Sequence, residues 1–134
     1  MPDDLALALA KHRLEQAKEC LQSAKSEIDA GFYKTAANRS YYCIFHAMRS
    51  VMALERYDAK KHSSIISVFR QKYIKTGIFP DRFSDYIRDA FDVRSKSDYE
   101  DFFVIPKNDV AIQVENAGVF LKSVEGYINS IAND

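Results

Sequence analysis

Glycine and proline are scarce in this chain, four and three among 134 residues, and tryptophan is absent. So few turn formers cannot serve the many chain reversals of a sandwich or a barrel, whereas a handful of long helices needs only a few. Long apolar runs are missing as well. No stretch reaches the roughly 18 apolar residues of a membrane span, and no charged N-terminal segment leads into a long apolar core. The protein is therefore expected in the cytoplasm, with no membrane partner. Cysteine is nearly lacking: Cys20 and Cys43 each fall inside a helical pattern and read as reduced, partly buried thiols, with no disulfide and no cysteine-based metal site. Nor is there an excess of charge of one sign. Nineteen Lys and Arg balance nineteen Asp and Glu, which argues against a protein that coats nucleic acid through bulk electrostatics.

What is present is apolar side chain, 47% of the residues, enough for one core, and one domain over residues 1–134 is expected. From an N-cap at Asp3 or Asp4, apolar residues recur at alternating three- and four-residue spacing from Leu7 to Ile28, with Gly31 as the stop. A second helix spans Thr35 to about Glu55, and its apolar residues cover most of its circumference, which suits the centre of a bundle. A third covers about His62 to Thr76, with Ile65, Ile66, Phe69, Tyr73 and Ile74 inward and Gly77 closing it. The fourth opens at Pro80 or Asp81 and runs to Arg94 or a turn beyond; the fifth runs from about Lys107 to Ile131. Between them, Phe102 to Ile105 reads as an apolar loop packed on the bundle, since a lone strand has nothing to pair with. The expected fold is all-α, an antiparallel up-and-down bundle of four to five helices.

Charge is less even locally. Arg56 to Lys75 holds six Lys and Arg against the single Asp58, and Asp81 to Asp101 holds seven Asp and Glu against four Lys and Arg. One end of the molecule is expected to be basic and another acidic.

Fold alone names no function, so the polar residues must. On the second helix Arg39, Tyr42, His46 and Arg49 share one stripe. Two readings stand side by side. In the structural one, Arg39 pairs with an acid of a neighbouring helix, Tyr42 caps a core hydrogen bond and His46 is a neutral, satisfied core histidine. In the functional one, arginine binds phosphate and histidine moves a proton near neutrality. A second constellation closes the fourth helix: Arg94, Ser95, Lys96, Ser97, Asp98 and Tyr99, readable as a site or as ordinary capping with an Arg94–Asp98 ion pair. Lys60, Lys61 and His62 at a helix N-terminus form a third, where free N–H groups and the dipole favour an anion, against a plain cap with solvated lysines. No Glu-x-x-His pair of the di-iron type occurs, so neither a metal nor another cofactor is expected.

The run from Ala36 to Ala47 with Arg39-Ser40-Tyr41-Tyr42-Cys43-Ile44-Phe45-His46 at its centre, then Lys61-His62-Ser63 with Phe69 downstream, then Arg94 to Tyr99, resembles the HEPN domain, the higher eukaryotes and prokaryotes nucleotide-binding family. The resemblance is strongest to the small stand-alone prokaryotic branch whose fourth helix ends in Arg-x-x-x-Asp-Tyr. It implies a homodimeric helical bundle, often encoded beside a minimal nucleotidyltransferase, the two forming a toxin-antitoxin pair. Many members are metal-independent RNases whose signature is an arginine followed four to six residues later by a histidine near the end of the fourth helix, shared across the dimer interface.

Arg94 matches that arginine; Asp98 and Tyr99 stand where the histidine is expected. An aspartate is a poor acid at neutral pH. Arg39 to His46 and Arg56 to His62 have similar spacing, but eight arginines and three histidines make such matches cheap. Arg94, Asp98 and Tyr99 therefore lead the candidates, followed by Lys60, Lys61 and His62 and by Arg39 and His46. The function they carry is either RNA binding with metal-free cleavage or a non-catalytic helical module that docks a nucleotidyltransferase or binds a nucleotide. The apolar second helix and the Phe102 to Ile105 segment add to the expectation of a homodimer.

Overall fold

A computed structural model describes residues 2–133. Among them there are five helices and no strand: α1 (Asp4–Asp29), α2 (Tyr33–Ala53), α3 (His62–Phe69), α4 (Arg82–Tyr99) and α5 (Lys107–Ala132). None is long and apolar enough to cross a membrane.

Asp3 is the N-cap of α1, its carboxylate accepting the Ala6 N–H at 2.8 Å. At the other end Gly31, at φ 87°, takes the left-handed position that a side chain resists. The Gly31 N–H then bonds to Ile28 O and the Phe32 N–H to Glu27 O, which satisfies the last carbonyls of the helix. With so short a link, α1 and α2 pack side by side as antiparallel neighbours. Ala10, Ala17, Ala24, Ala36, Ala37 and Ala47 have no exposed surface, and such small side chains let neighbouring backbones approach closely.

α2 is the central helix, as its all-round apolar pattern requires, and α1, α4 and α5 all pack on it. Gln113 fastens α5 to it: its buried Nε2 donates to Ala37 O at 3.1 Å and to Ser40 Oγ at 2.7 Å. The largest side chains gather where α3, α4 and α5 meet. There Phe120 lies 5.7 Å from Phe69 and 4.7 Å from Phe83, ring centre to ring centre, with Phe79 stacked on both Phe69 and Phe83. A smaller apolar cluster at the Gly31 end joins Ala24, Ala36 and Ala37 to Ile105, Val110 and Val114.

Three expectations change in detail. The third helix is not α-helical throughout: Arg70–Ile74 forms a π-helical turn in which the Lys75 N–H bonds to Arg70 O. The Phe102 to Ile105 segment packs by alternate residues only, with Ile105 buried and Phe103 half-buried while Phe102 and Val104 are 97% and 82% exposed. The basic and acidic segments do not lie at separate ends either. Arg70 bonds to Ser84 at the start of α4, and Arg70, Lys75, Arg88 and Asp92 line one groove. Sequential helices joined by a short loop are neighbours in space, so their charges interleave.

Candidate functional site

α2 carries a ladder of aromatic rings, Tyr41, Tyr42 and Phe45, and the arginines Arg39, Arg49 and Arg94 gather on it. Tyr41 is fully buried. The Arg94 guanidinium, arriving from α4, sits 5.2 Å from the Tyr41 ring centre and 5.4 Å from that of Tyr42. Arg39 lies 5.4 Å from the Tyr42 ring and Arg49 5.9 Å from that of Phe45. The negative faces of these rings accommodate guanidinium groups that have left part of their hydration behind.

His62, the first residue of α3, enters the same cluster. Its ring stacks on Phe45 at 4.0 Å, and its Nδ1 shares a 2.7 Å hydrogen bond with the Tyr41 hydroxyl. Arg94 and His62 come from positions 32 residues apart in sequence and converge on one buried tyrosine. Burial raises the Tyr41 phenol well above its ordinary value against the pull of Arg94, so the hydroxyl keeps its proton. Burial, and then the charges of Arg94 and Arg49, lower His62 below the usual histidine value. His46 is pulled down to about 4 by burial first and then by Arg49, Arg39 and Arg13. Both imidazoles are therefore neutral at pH 7, and neutral imidazole is a proton acceptor.

Few carboxylates compensate the cluster. Asp58 serves Arg49 at 2.9 Å and the buried Arg13 at 3.2 Å. Asp98 Oδ2 lies 3.3 Å from Arg94 Nε, one turn along α4, yet that Nε is buried and makes no hydrogen bond among the described residues. His46 Nδ1 and Ser97 Oγ share this condition. Buried polar atoms without hydrogen bonds are rare, and Arg94 meets its one nearby carboxylate, Asp98, as an ion pair without a hydrogen bond at Nε.

The structure thus unites Arg94, His62, Arg39 and His46. Asp98 faces them as an ion-pair partner, Tyr99 is 85% exposed, and Lys60 and Lys61 are exposed on the approach to His62. Arg39 does not pair with an acid of a neighbouring helix: it donates to Asn38 Oδ1 at 2.8 Å and lies against Cys20 Sγ. His46 is neutral but not satisfied. The roles of Tyr41 and Phe45 as a shared floor, and of Arg13 and Asp58 as a flanking pair, escaped the sequence. Tyr41 belongs to a helix that is apolar all round, so no periodicity sets it apart. Among the described residues, no three His, Cys, Asp or Glu side chains gather where they would hold a metal ion.

The family model of the HEPN domain matches residues 10–127. The chain belongs to the HEPN domain family. Among its relatives, one named "Putative toxin MJ0142", from Methanocaldococcus jannaschii, is 26% identical over 117 residues, covering 87% of this chain and 80% of that one. A UPF0332 protein from Archaeoglobus fulgidus is 30% identical over 118 residues, 87% and 93% of the two chains. The crystal structure of TT1696 from Thermus thermophilus superposes with a TM-score of 0.73 at 18% identity, over 87% of this chain and 96% of that chain. ST0689, an archaeal HEPN homologue, does so at 0.61 and 19%, over 89% and 97%. At these identities the two structures speak to the fold alone.

Proposed function

We propose that this HEPN protein is a toxin that cleaves RNA without a metal, with Arg94 binding the scissile phosphate and His62 accepting the proton of the attacking 2′-hydroxyl. The observation that carries the reading is the convergence on Tyr41 of an arginine whose Nε lacks a hydrogen bond and a neutral histidine. The histidine missing from the end of α4 is supplied by the start of α3. In the tautomer that donates Nδ1–H to the Tyr41 oxygen, Nε2 has a free lone pair for the 2′-hydroxyl proton. The 2′-oxygen then bonds to phosphorus, the bond from phosphorus to the 5′-oxygen breaks, that oxygen takes a proton from water, and the His62 imidazolium gives its proton to the hydroxide left behind. Arg94 offsets the charge gathered on the phosphorane, as preorganised cations do.

The name of the Methanocaldococcus relative supports the toxin part. Its control is assigned to a minimal nucleotidyltransferase that docks on it. Purified protein incubated in EDTA with total RNA and with a defined oligoribonucleotide is expected to give fragments ending in 2′,3′-cyclic phosphate. Intact RNA after prolonged incubation overturns the enzymatic reading and leaves a module that binds a nucleotide or a partner, which the Asp98 and Tyr99 positions would suit. The working unit is assigned as a homodimer. Sedimentation at micromolar concentration is expected to give twice the 15.3 kDa chain mass, and a clean monomer removes any site shared between copies.

A further inference from the structure

A groove of about 450 Å³ runs between α3 with its π turn and α4, and its lining holds neighbours of Arg94 and His62 but neither of those two residues. Ser63, next to His62, lines its near end. Phe91 lines it too, and its ring meets that of Tyr41 at 6.0 Å, one turn before Arg94. The floor is apolar, built from Ile66, Ile87 and Phe91, and the wall above it is cationic.

The π turn makes the wall. In an α-helix, which advances about 100° per residue, Ile74 would share the face of Ser67 and Arg70 and Lys75 would turn away. The extra residue in the turn sets the register back by one. Ile74 is thereby buried in the core, and Lys75 joins Ser67 and Arg70 on the groove. Such turns are frequently found at functional sites.

The cations lining the groove differ in what already holds them. Arg88 pairs with Asp85 and Asp89. Arg70 bonds only to neutral acceptors, the hydroxyl and carbonyl of Ser84, and neither it nor Lys75 has a salt-bridge partner among the described residues. Asp92 is the single carboxylate on the lining. An apolar floor with one aromatic ring, under two uncompensated cations, is the chemistry of a base and a phosphate. The volume, within the range of about 300–1,000 Å³ for small-ligand sites, suits one nucleotide rather than a stretch of duplex.

We infer that the groove between α3 and α4 seats the nucleotide adjacent to the scissile phosphate of a single RNA strand, its base on Phe91 and the next phosphate along on Arg70 and Lys75. This rests on the reading of Arg94 and His62 as the cleavage site. It makes the substrate single-stranded and gives the enzyme a preference for chains over isolated dinucleotides.

Lys75 is exposed, so its replacement leaves the core intact. Lys75→Glu is expected to raise KM for an oligoribonucleotide of eight residues about ten-fold whatever its base sequence, with kcat unchanged, and Lys75→Arg to restore it. A dinucleoside monophosphate, which lacks the second phosphate, is expected to be cleaved equally by all three proteins. An equal effect on both substrates, or none on either, overturns the inference. Should no cleavage occur at all, fluorescence anisotropy with the labelled octamer still decides the matter: binding lost in Lys75→Glu and kept in Lys75→Arg supports the groove, and unchanged binding overturns it. Free adenosine monophosphate is the third arm. If it displaces the octamer at micromolar concentration and loses this ability in Lys75→Glu, the groove belongs to a free nucleotide and the RNA assignment is overturned.

Discussion

His62→Ala lowers the rate of RNA cleavage by about 10²–10⁴, the usual worth of a positioned proton acceptor, with helical content preserved. Arg94→Ala lowers it by about 10²–10³, the scale of losing one charge-stabilising group from a preorganised site. Because the two act on one step, the double variant falls little below the weaker single one. The pH profile carries a sign that a merely structural histidine would not impose. Burial, Arg94 and Arg49 all disfavour the charged imidazole, so the active neutral form persists into mildly acidic solution. Activity is expected to rise with pH through a midpoint below that of a free histidine and then to level off. Removing the Arg94 charge with Arg94→Gln moves that midpoint upward in whatever activity survives. Tyr99→Phe, at a ring 85% exposed, changes nothing. Full activity in His62→Ala, or its loss in Tyr99→Phe, would return the chemistry to the end of α4.

The largest expected effect on stability is at Phe120. Its side chain is fully buried, stacked on Phe83 and tilted against Phe69, and it joins α5 to the elements that carry the groove. Truncating a buried phenylalanine to alanine removes its transfer energy and leaves a cavity that a close-packed interior fills only in part, a loss of about 3–5 kcal/mol. Against a total of about 5–15 kcal/mol, that is enough to leave much of the protein unfolded if it lies near the lower bound. Urea denaturation of Phe120→Ala is expected to show a midpoint far below wild type with a similar slope. The companion is Ile112→Ala on the same helix, 57% exposed, where the change stays within about 0.5 kcal/mol. Similar midpoints for the two variants would mean that α5 does not pack as described.

Much of this was legible along the chain. The stop at Gly31, the all-round burial of α2 and the helical spacing of α5 each depend on hydrogen bonds and side-chain contacts three or four residues apart, and sequence records that range directly. Arg94, His62, Arg39 and His46 could likewise be singled out as cations and proton acceptors, although an ordinary structural task stood beside the functional one for each. Their grouping could not. His62 was attached to its neighbours Lys60 and Lys61 and to the N-terminus of α3, and Arg94 to Asp98 and Tyr99, because adjacency is the one form of proximity a linear reading sees.

The Phe102 to Ile105 segment teaches the same lesson at smaller scale: four apolar residues in a row carry no periodicity, and only the bundle surface decides that Phe103 and Ile105 face in. So it is with Lys75, whose turn toward the groove follows from the core's need to bury both Tyr73 and Ile74, at the expense of one regular helical turn. By itself the sequence determined an all-helical HEPN chain, the faces of its helices and the residue types able to bind phosphate and move a proton. Only the tertiary structure decided that Arg94 meets His62 over Tyr41, because that meeting is set by loop lengths and by which side chains fill the space between α2, α3 and α4, and neither quantity has a period.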